Sequence, residues 1–112
     1  MSDSNHEKYI SQAVLRILKQ YDHRHGVFWI ADITIGNKVI CKVEQEGRGG
    51  VNFYYDKTPE WKICKQEILG LCNKQANSDR EEDLIDMIVT FTGDNETLEQ
   101  GFQHVKDLGY IA

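Results

Sequence analysis

Residues 27–55 read VFWIADITIGNKVICKVEQEGRGGVNFYY, and this stretch decides the fold. Val27, Trp29, Ala31, Ile33 and Ile35 are apolar at every second position, as are Val39, Cys41 and Val43 after the Gly36-Asn37-Lys38 break. Period-two alternation marks strands with one buried face. Pairing Ile35 with Val39 sets Ile33 opposite Cys41 and Ala31 opposite Val43. The same register places Asp32 against Lys42, a favourable cross-strand charge pair on the other face. A one-residue slip would mix the faces, so a three-residue loop is expected. A second break, Glu46-Gly47-Arg48-Gly49-Gly50, leads into Val51, Phe53 and Tyr55. The reading is a three-stranded antiparallel meander. Its even face (Phe28, Ile30, Thr34, Ile40) is less polar than a free face should be.

Helices are expected on both sides of the meander. Ser4 with Glu7 forms a capping-box pattern. Ile10, Ala13, Val14, Ile17, Leu18 and Tyr21 then share a helical face, predicting a first helix from Ser4 to about Tyr21. Thr58-Pro59 is a helix start, with Trp61, Cys64, Ile68, Leu71 and Cys72 as its inner stripe. Ser78 with Glu81 opens another helix, carrying Leu84, Ile85, Ile88 and Phe91 inward and Asp79, Glu82, Asp83 and Asp86 outward. A last helix follows Thr92-Gly93-Asp94, carries Leu98, Phe102, Val105 and Leu108, and stops at Gly109, with Tyr110-Ile111 packing back. The expected class is α+β in the order α-β-β-β-α-α-α, a single domain over residues 1–112. Ile17, Ile33, Val43, Ile68, Leu84, Ile88 and Phe102 are the expected core.

Composition narrows the function classes. The chain has 112 residues, 40% apolar and 28% charged, the proportions of a soluble globular domain. Its longest apolar run, Val27–Ala31, is far too short for a membrane span. The polar start MSDSNHEKY lacks a signal-peptide core, and three cysteines cannot all pair, so a cytoplasmic protein with reduced Cys41, Cys64 and Cys72 is expected. From Asp79 to Glu99 there are eight acidic residues against Arg80 alone, a net of −7 within a chain of net −5, leaving the remainder at +2. Net-negative chains are poor general binders of phosphate backbones. Partners with basic surfaces fit better.

The familiar chemistries are not signalled. Cys41, Cys64, Cys72, His6, His23, His25 and His104 show no zinc-site spacing, and Asp22-His23-Arg24-His25 reads as a polar connection. No nucleophile motif is present, and Asp94-Asn95-Glu96 lacks the ladder of a calcium loop. Gly47-Arg48-Gly49-Gly50 reads as a wide turn in which glycines supply positive φ. No catalytic residue, metal or cofactor is therefore assigned. The candidate partner-binding residues are Glu82, Asp83, Asp86, Asp94 and Glu96 on the acidic face, with Arg48 and Tyr54 near the turn. A runner-up surface combines Arg48, Tyr54, Tyr55, Lys42 and Lys57 for nucleic acid.

Over residues 4–74 the expected α-β-β-β-α order resembles a double-stranded-RNA-binding domain. In that family a lysine cluster opens the last helix. The matching place here reads Thr58-Pro59-Glu60-Trp61-Lys62 and lacks it. The extended order in a short acidic chain also resembles phage-encoded anti-CRISPR inhibitors, and GNKVICKVEQEGRGGVNFYY is similar to stretches of small phage and mobile-element proteins. Toxin-immunity proteins share the profile. The acidic charge concentrated in one segment, the missing catalytic constellations and the small size lead, with the anti-CRISPR and immunity-protein resemblances, to the expectation of a non-enzymatic inhibitor. It would occupy a basic surface of a protein partner such as a nuclease or CRISPR effector. The double-stranded-RNA-binding order implies the nucleic-acid alternative.

Overall fold

The structure, a computed structural model, describes residues 9–23, 26–45, 52–72 and 81–110. The side chains of His23, Cys72 and residues 81–83 lie outside that description. So do the Ser4–Glu7 and Ser78 capping patterns, the Arg48 turn, the Arg24-His25 link and Ile111.

The chain is α+β. Four antiparallel strands, β1 (Val14–His23), β2 (Gly26–Ile35), β3 (Lys38–Gln45) and β4 (Phe53–Tyr55), lie in sequence order in one sheet. Three helices follow, α1 (Pro59–Cys72), α2 (Glu81–Phe91) and α3 (Leu98–Asp107). The expected first helix is overturned: a 3-10 turn, Tyr9–Ser11, leads into β1. Isoleucine, valine and tyrosine in Val14–Tyr21 suit a pleated strand as well as a helical stripe. The helical face left Leu15 unplaced, whereas as a strand Leu15 faces Ile33 and is 1% exposed. The α-β-β-β-α order, and with it the likeness to a double-stranded-RNA-binding domain, loses its first helix.

Within the meander, Ala31↔Val43, Asp32↔Lys42 and Ile33↔Cys41 pair as the alternation requires. The expected Ile35–Val39 pairing is replaced by Ile35↔Lys38 and Thr34↔Val39, with a register shift after Ile33. The link is thus the two-residue Gly36-Asn37 turn. Gly36, at φ 60°, takes the first central position, the one a type II′ turn gives to glycine. Ile40 becomes the extra residue of a bulge, so Ile40 and Cys41 are both fully buried although adjacent. A second shift, between Ile17 and Lys19, leaves Leu18 unpaired with β2 and 56% exposed.

The inner sheet face carries Leu15, Ala31, Ile33, Cys41 and Val43 into one core with Ile10, Trp61, Cys64, Ile68, Ile88, Val89, Leu98 and Val105. Of the expected core, Ile33, Val43, Ile68 and Ile88 are fully buried; Ile17, Leu84 and Phe102 are partly buried against it. Leu108 and Tyr110, expected inside, are exposed, the Tyr110 ring lying 5.9 Å from that of Phe91, itself 37% exposed. Thr58 fixes α1 to the β3 bulge. Its hydroxyl donates to the Ile40 carbonyl (2.8 Å) and accepts from Trp61 N–H (3.4 Å), with Pro59 at the first helical position. Thr97 and Gln100 form a capping box on α3. The link between α2 and α3 then closes the free edge of β1: Leu15 N–H donates to Glu96 O, Asn95 N–H to Leu15 O, and Leu98 N–H to Ala13 O.

Candidate functional site

The helices gather on the inner face, and the strand register defines what is left on the outer one. Lys19, Ile30, Glu44 and Phe53 form one row across the four strands; Arg16, Asp32, Lys42 and Tyr55 form the next. Tyr21 and Phe28 pair beyond them, ring centroids 5.7 Å apart, where β1 and β2 extend past the end of β3. Tyr21 is 51% exposed, Phe53 42% and Tyr55 47%. Solvent-exposed aromatics on one face are costly in an isolated domain and common at recognition surfaces. The charges among them alternate: Arg16, Asp32 and Lys42 along one row, Lys19 and Glu44 along the other. Lys42 also lies 3.8 Å from Asp56.

A second feature lies on the inner side, between β4, α1 and α2. A cavity of about 170 Å³ is lined by Asn52, Tyr54, Lys57, Trp61, Lys65, Ile85 and Asp86. Tyr54 points inward because its strand neighbours Phe53 and Tyr55 point out. Its ring stacks on Trp61 at 5.3 Å, and its hydroxyl donates to Asp86 Oδ1 at 2.5 Å. Burial, reinforced by that bond to Asp86, pushes the Tyr54 phenol well above its ordinary range. Asn52 joins the network, its backbone N–H donating to Asp86 Oδ2 (3.4 Å) and its amide to the Asp86 carbonyl (3.4 Å) and Tyr54 hydroxyl (3.3 Å). Gln45 donates to Asn52 Oδ1 (2.7 Å) and accepts from Trp29 Nε1 (3.2 Å), carrying the chain of bonds back to β2.

Of the acidic residues singled out from sequence, the described ones, Asp86, Asp94 and Glu96, each accept hydrogen bonds within the fold. Asp86 turns toward β4. Asp94 accepts from Ile17 N–H at 2.9 Å, capping the edge of β1. Glu96 accepts from Gly93 N–H at 2.7 Å and lies 2.9 Å from His104 Nε2. These two contacts, the Gly93 N–H first, hold the Glu96 carboxyl below its ordinary range. Glu82 and Asp83 side chains and Arg48 lie outside the described residues. Of the runner-up set, Lys42 and Tyr55 share the outer face, while Tyr54 and Lys57 line the cavity.

Cys41 and Cys64 are free and buried, and burial pushes both thiols up to about 12, the reverse of what a nucleophilic thiolate requires. Among the described residues no cluster of histidine, cysteine and carboxylate side chains is arranged to hold a metal, and no helix is long and apolar enough to cross a membrane. Sequence reasoning missed Lys65 and Trp61 as neighbours of Tyr54. The available signal was Trp61 and Lys65, four residues apart on one side of α1, with Lys57 just ahead of its Thr58-Pro59 start. Compared with known protein families, curated proteins and solved structures, the chain matches none.

Proposed function

We propose that this chain is a non-enzymatic protein-binding domain and that it engages its partner through the outer face of the sheet. The observation that carries this reading is the open aromatic set Tyr21, Phe53 and Tyr55, on the face away from the helices. Tyrosine supplies large, rigid contact area with a polar tip and is enriched at the energetic centres of interfaces. The alternating charges of Arg16, Asp32 and Lys42 suit a protein surface. A nucleic-acid backbone favours a uniformly cationic face. The net charge of −5 lies in residues 79–99 and steers a partner with a basic surface toward the molecule as a whole, while the outer face itself carries Arg16, Lys19 and Lys42 against Asp32 and Glu44. An inhibitor or neutraliser of a nucleic-acid-handling protein is the partner relationship this charge fits best.

The test compares variants against a captured and purified partner. Phe53→Ser with Tyr55→Ser should abolish binding, whereas Glu82→Gln with Asp83→Asn should slow association without abolishing it. Binding that survives the outer-face change overturns the reading. So does a dimer in sedimentation that this change dissociates, or tight binding of single-stranded RNA at physiological salt.

A further inference from the structure

The α2–α3 link closes the outer edge of β1 only as far as Ile17. Ala13 O, Leu15 N–H, Leu15 O and Ile17 N–H are taken by Leu98, Glu96, Asn95 and Asp94. Beyond Ile17, no element other than β2 bonds to the β1 backbone among the described residues. Leu18, Lys19, Gln20, Tyr21 and Asp22 are all exposed. The bulge at Leu18 decides which backbone groups this open edge presents. Leu15 and Ile17 bond outward, so their pairs with Ile33 and Ala31 are of the non-hydrogen-bonded kind, and β2 alternates from there. Ile30 and Phe28 therefore exchange bonds with Lys19 and Tyr21, and Gln20 and Asp22 turn their N–H and C=O groups to the open edge. The same stretch is short of sheet on its other side. Pairing with β3 ends at Trp29↔Gln45, so Tyr21–His23 and Gly26–Phe28 form a two-stranded ribbon. A lone two-stranded ribbon is marginal in water, and an open edge is a template for a further strand.

We infer that this edge is a dimer interface, in which β1 of a second copy pairs antiparallel with β1 over Lys19–His23 and the two-fold axis passes by Tyr21. This centring sets Gln20 opposite Asp22 of the second copy and Asp22 opposite its Gln20, so every outward-facing residue of the stretch is bonded. The two Tyr21 side chains then meet as a non-hydrogen-bonded cross-strand pair on the outer face, the closer and more favourable kind. Centring on Gln20 would instead set Asp22 against the bulged Leu18. Each ribbon gains the third strand it lacks. Antiparallel pairing also lays the far end of one β1, where the chain enters His23-Arg24-His25, beside the near end of the other, where Asp94 holds Ile17. Basic and acidic ends thus match on both sides of the axis. The repulsion between two copies at net −5 is screened beyond about 8 Å at physiological salt.

Sedimentation equilibrium of the full chain at physiological salt, from about 1 to about 500 μM, should give a monomer–dimer equilibrium with a Kd at or below about 100 μM. Exchange of the Gln20 and Asp22 amide protons should slow toward the upper end of that range. Gln20→Pro removes an N–H that β2 does not use, and Tyr21→Lys sets like charges across the axis. Each should raise the Kd by roughly tenfold or more with the circular dichroism spectrum unchanged. If Gln20→Pro fails to fold, Tyr21→Lys, at a position 51% exposed, decides the matter. A monomer throughout the range overturns the proposal, as does an unchanged Kd in Tyr21→Lys. A dimer that Phe53→Ser with Tyr55→Ser dissociates also overturns it, because those residues lie on β4 at the opposite side of the sheet.

Discussion

Tyr54 Oη donates to Asp86 Oδ1 at 2.5 Å and so ties the three-residue strand β4 to helix α2. Such a short strand has few ladder bonds of its own, and this contact supplies an anchor across the core. Tyr54→Phe keeps the ring stacked on Trp61 and leaves Asp86 with less hydrogen bonding in a half-buried place. It should destabilise the domain by about 1–3 kcal/mol in denaturant melts. A change too small to resolve would show that the bond is replaced by water.

Gly101 is required for its lack of a side chain. A Cβ there would lie 1.9 Å from Thr92 Oγ1 and 2.7 Å from the Ile88 carbonyl oxygen, where α3 crosses the end of α2. The Thr92 hydroxyl is itself buried and donates to that carbonyl at 2.7 Å, so it has no free direction to move. Gly101→Ala should therefore cost about 1–3 kcal/mol despite alanine's better helix propensity. Thr92→Ala in the same chain should recover part of the loss. An alanine variant as stable as the parent would contradict the close crossing.

Glu96 links acid stability to the α2–α3 connection. Its carboxyl is held below the ordinary 4.5 by Gly93 N–H and then by His104. The folded pKa is the lower one, so the contribution is complete above the unfolded value and is lost as pH falls through the folded pKa. Melting temperatures of the parent and Glu96→Gln should differ at about pH 6 and converge toward about pH 3. Parallel curves would mean that the contact contributes nothing. The Glu96 side chain is 31% exposed, so solvent and salt reach the contact and the effect is expected to shrink in high salt.

Cys41 and Cys64, with thiols pushed up to about 12 by burial, should be silent to a thiol reagent at pH 8 in the folded state. In guanidinium all three cysteines of the chain should react. Rapid labelling of more than one thiol in the native protein would show that the core around Ile33 and Cys41 opens readily.

The sheet was legible where one period fitted and no other did. Between Ala31 and Ile33 only alternation works, and the register emerged correctly down to Asp32↔Lys42. Toward the turn it was not, because a bulge lets Ile40 and Cys41 face the same way, and a two-residue turn plus a bulge consumes the same chain as a three-residue loop. Residues 10–21 supported both periods, and tertiary pairing decided the outcome: the partner edge came from β2 on one side and from Glu96 and Thr97 on the other. The capping patterns Thr58-Pro59 and Gly109 are local chemistry and could be read directly. The cavity could not, since Tyr54 meets Asp86 across 32 positions of sequence.

That last contact alters how the acidic face should behave. On a helical wheel Asp86 falls with Asp79, Glu82 and Asp83, opposite Leu84, Ile85 and Ile88, which makes all four look replaceable. In the fold Asp86 accepts from Tyr54 Oη at 2.5 Å and from Asn52 N–H at 3.4 Å. Asparagine at this position offers one neutral acceptor in place of two anionic oxygens, and charge-assisted bonds are about twice as strong as neutral ones. Asp86→Asn should therefore destabilise by about 1–2 kcal/mol. Glu82→Gln with Asp83→Asn, a change of greater charge at positions that the helical wheel of the sequence sets opposite the apolar stripe, is expected to stay within about 0.5 kcal/mol of the parent. The discriminating measurement is a set of denaturant melts on the three chains together with the Asp86→Asn, Tyr54→Phe double variant. The two single losses should fail to add in the double variant, because Tyr54→Phe removes the bond that Asp86→Asn weakens. Full additivity would separate Asp86 from Tyr54 energetically and return Asp86 to the solvated face.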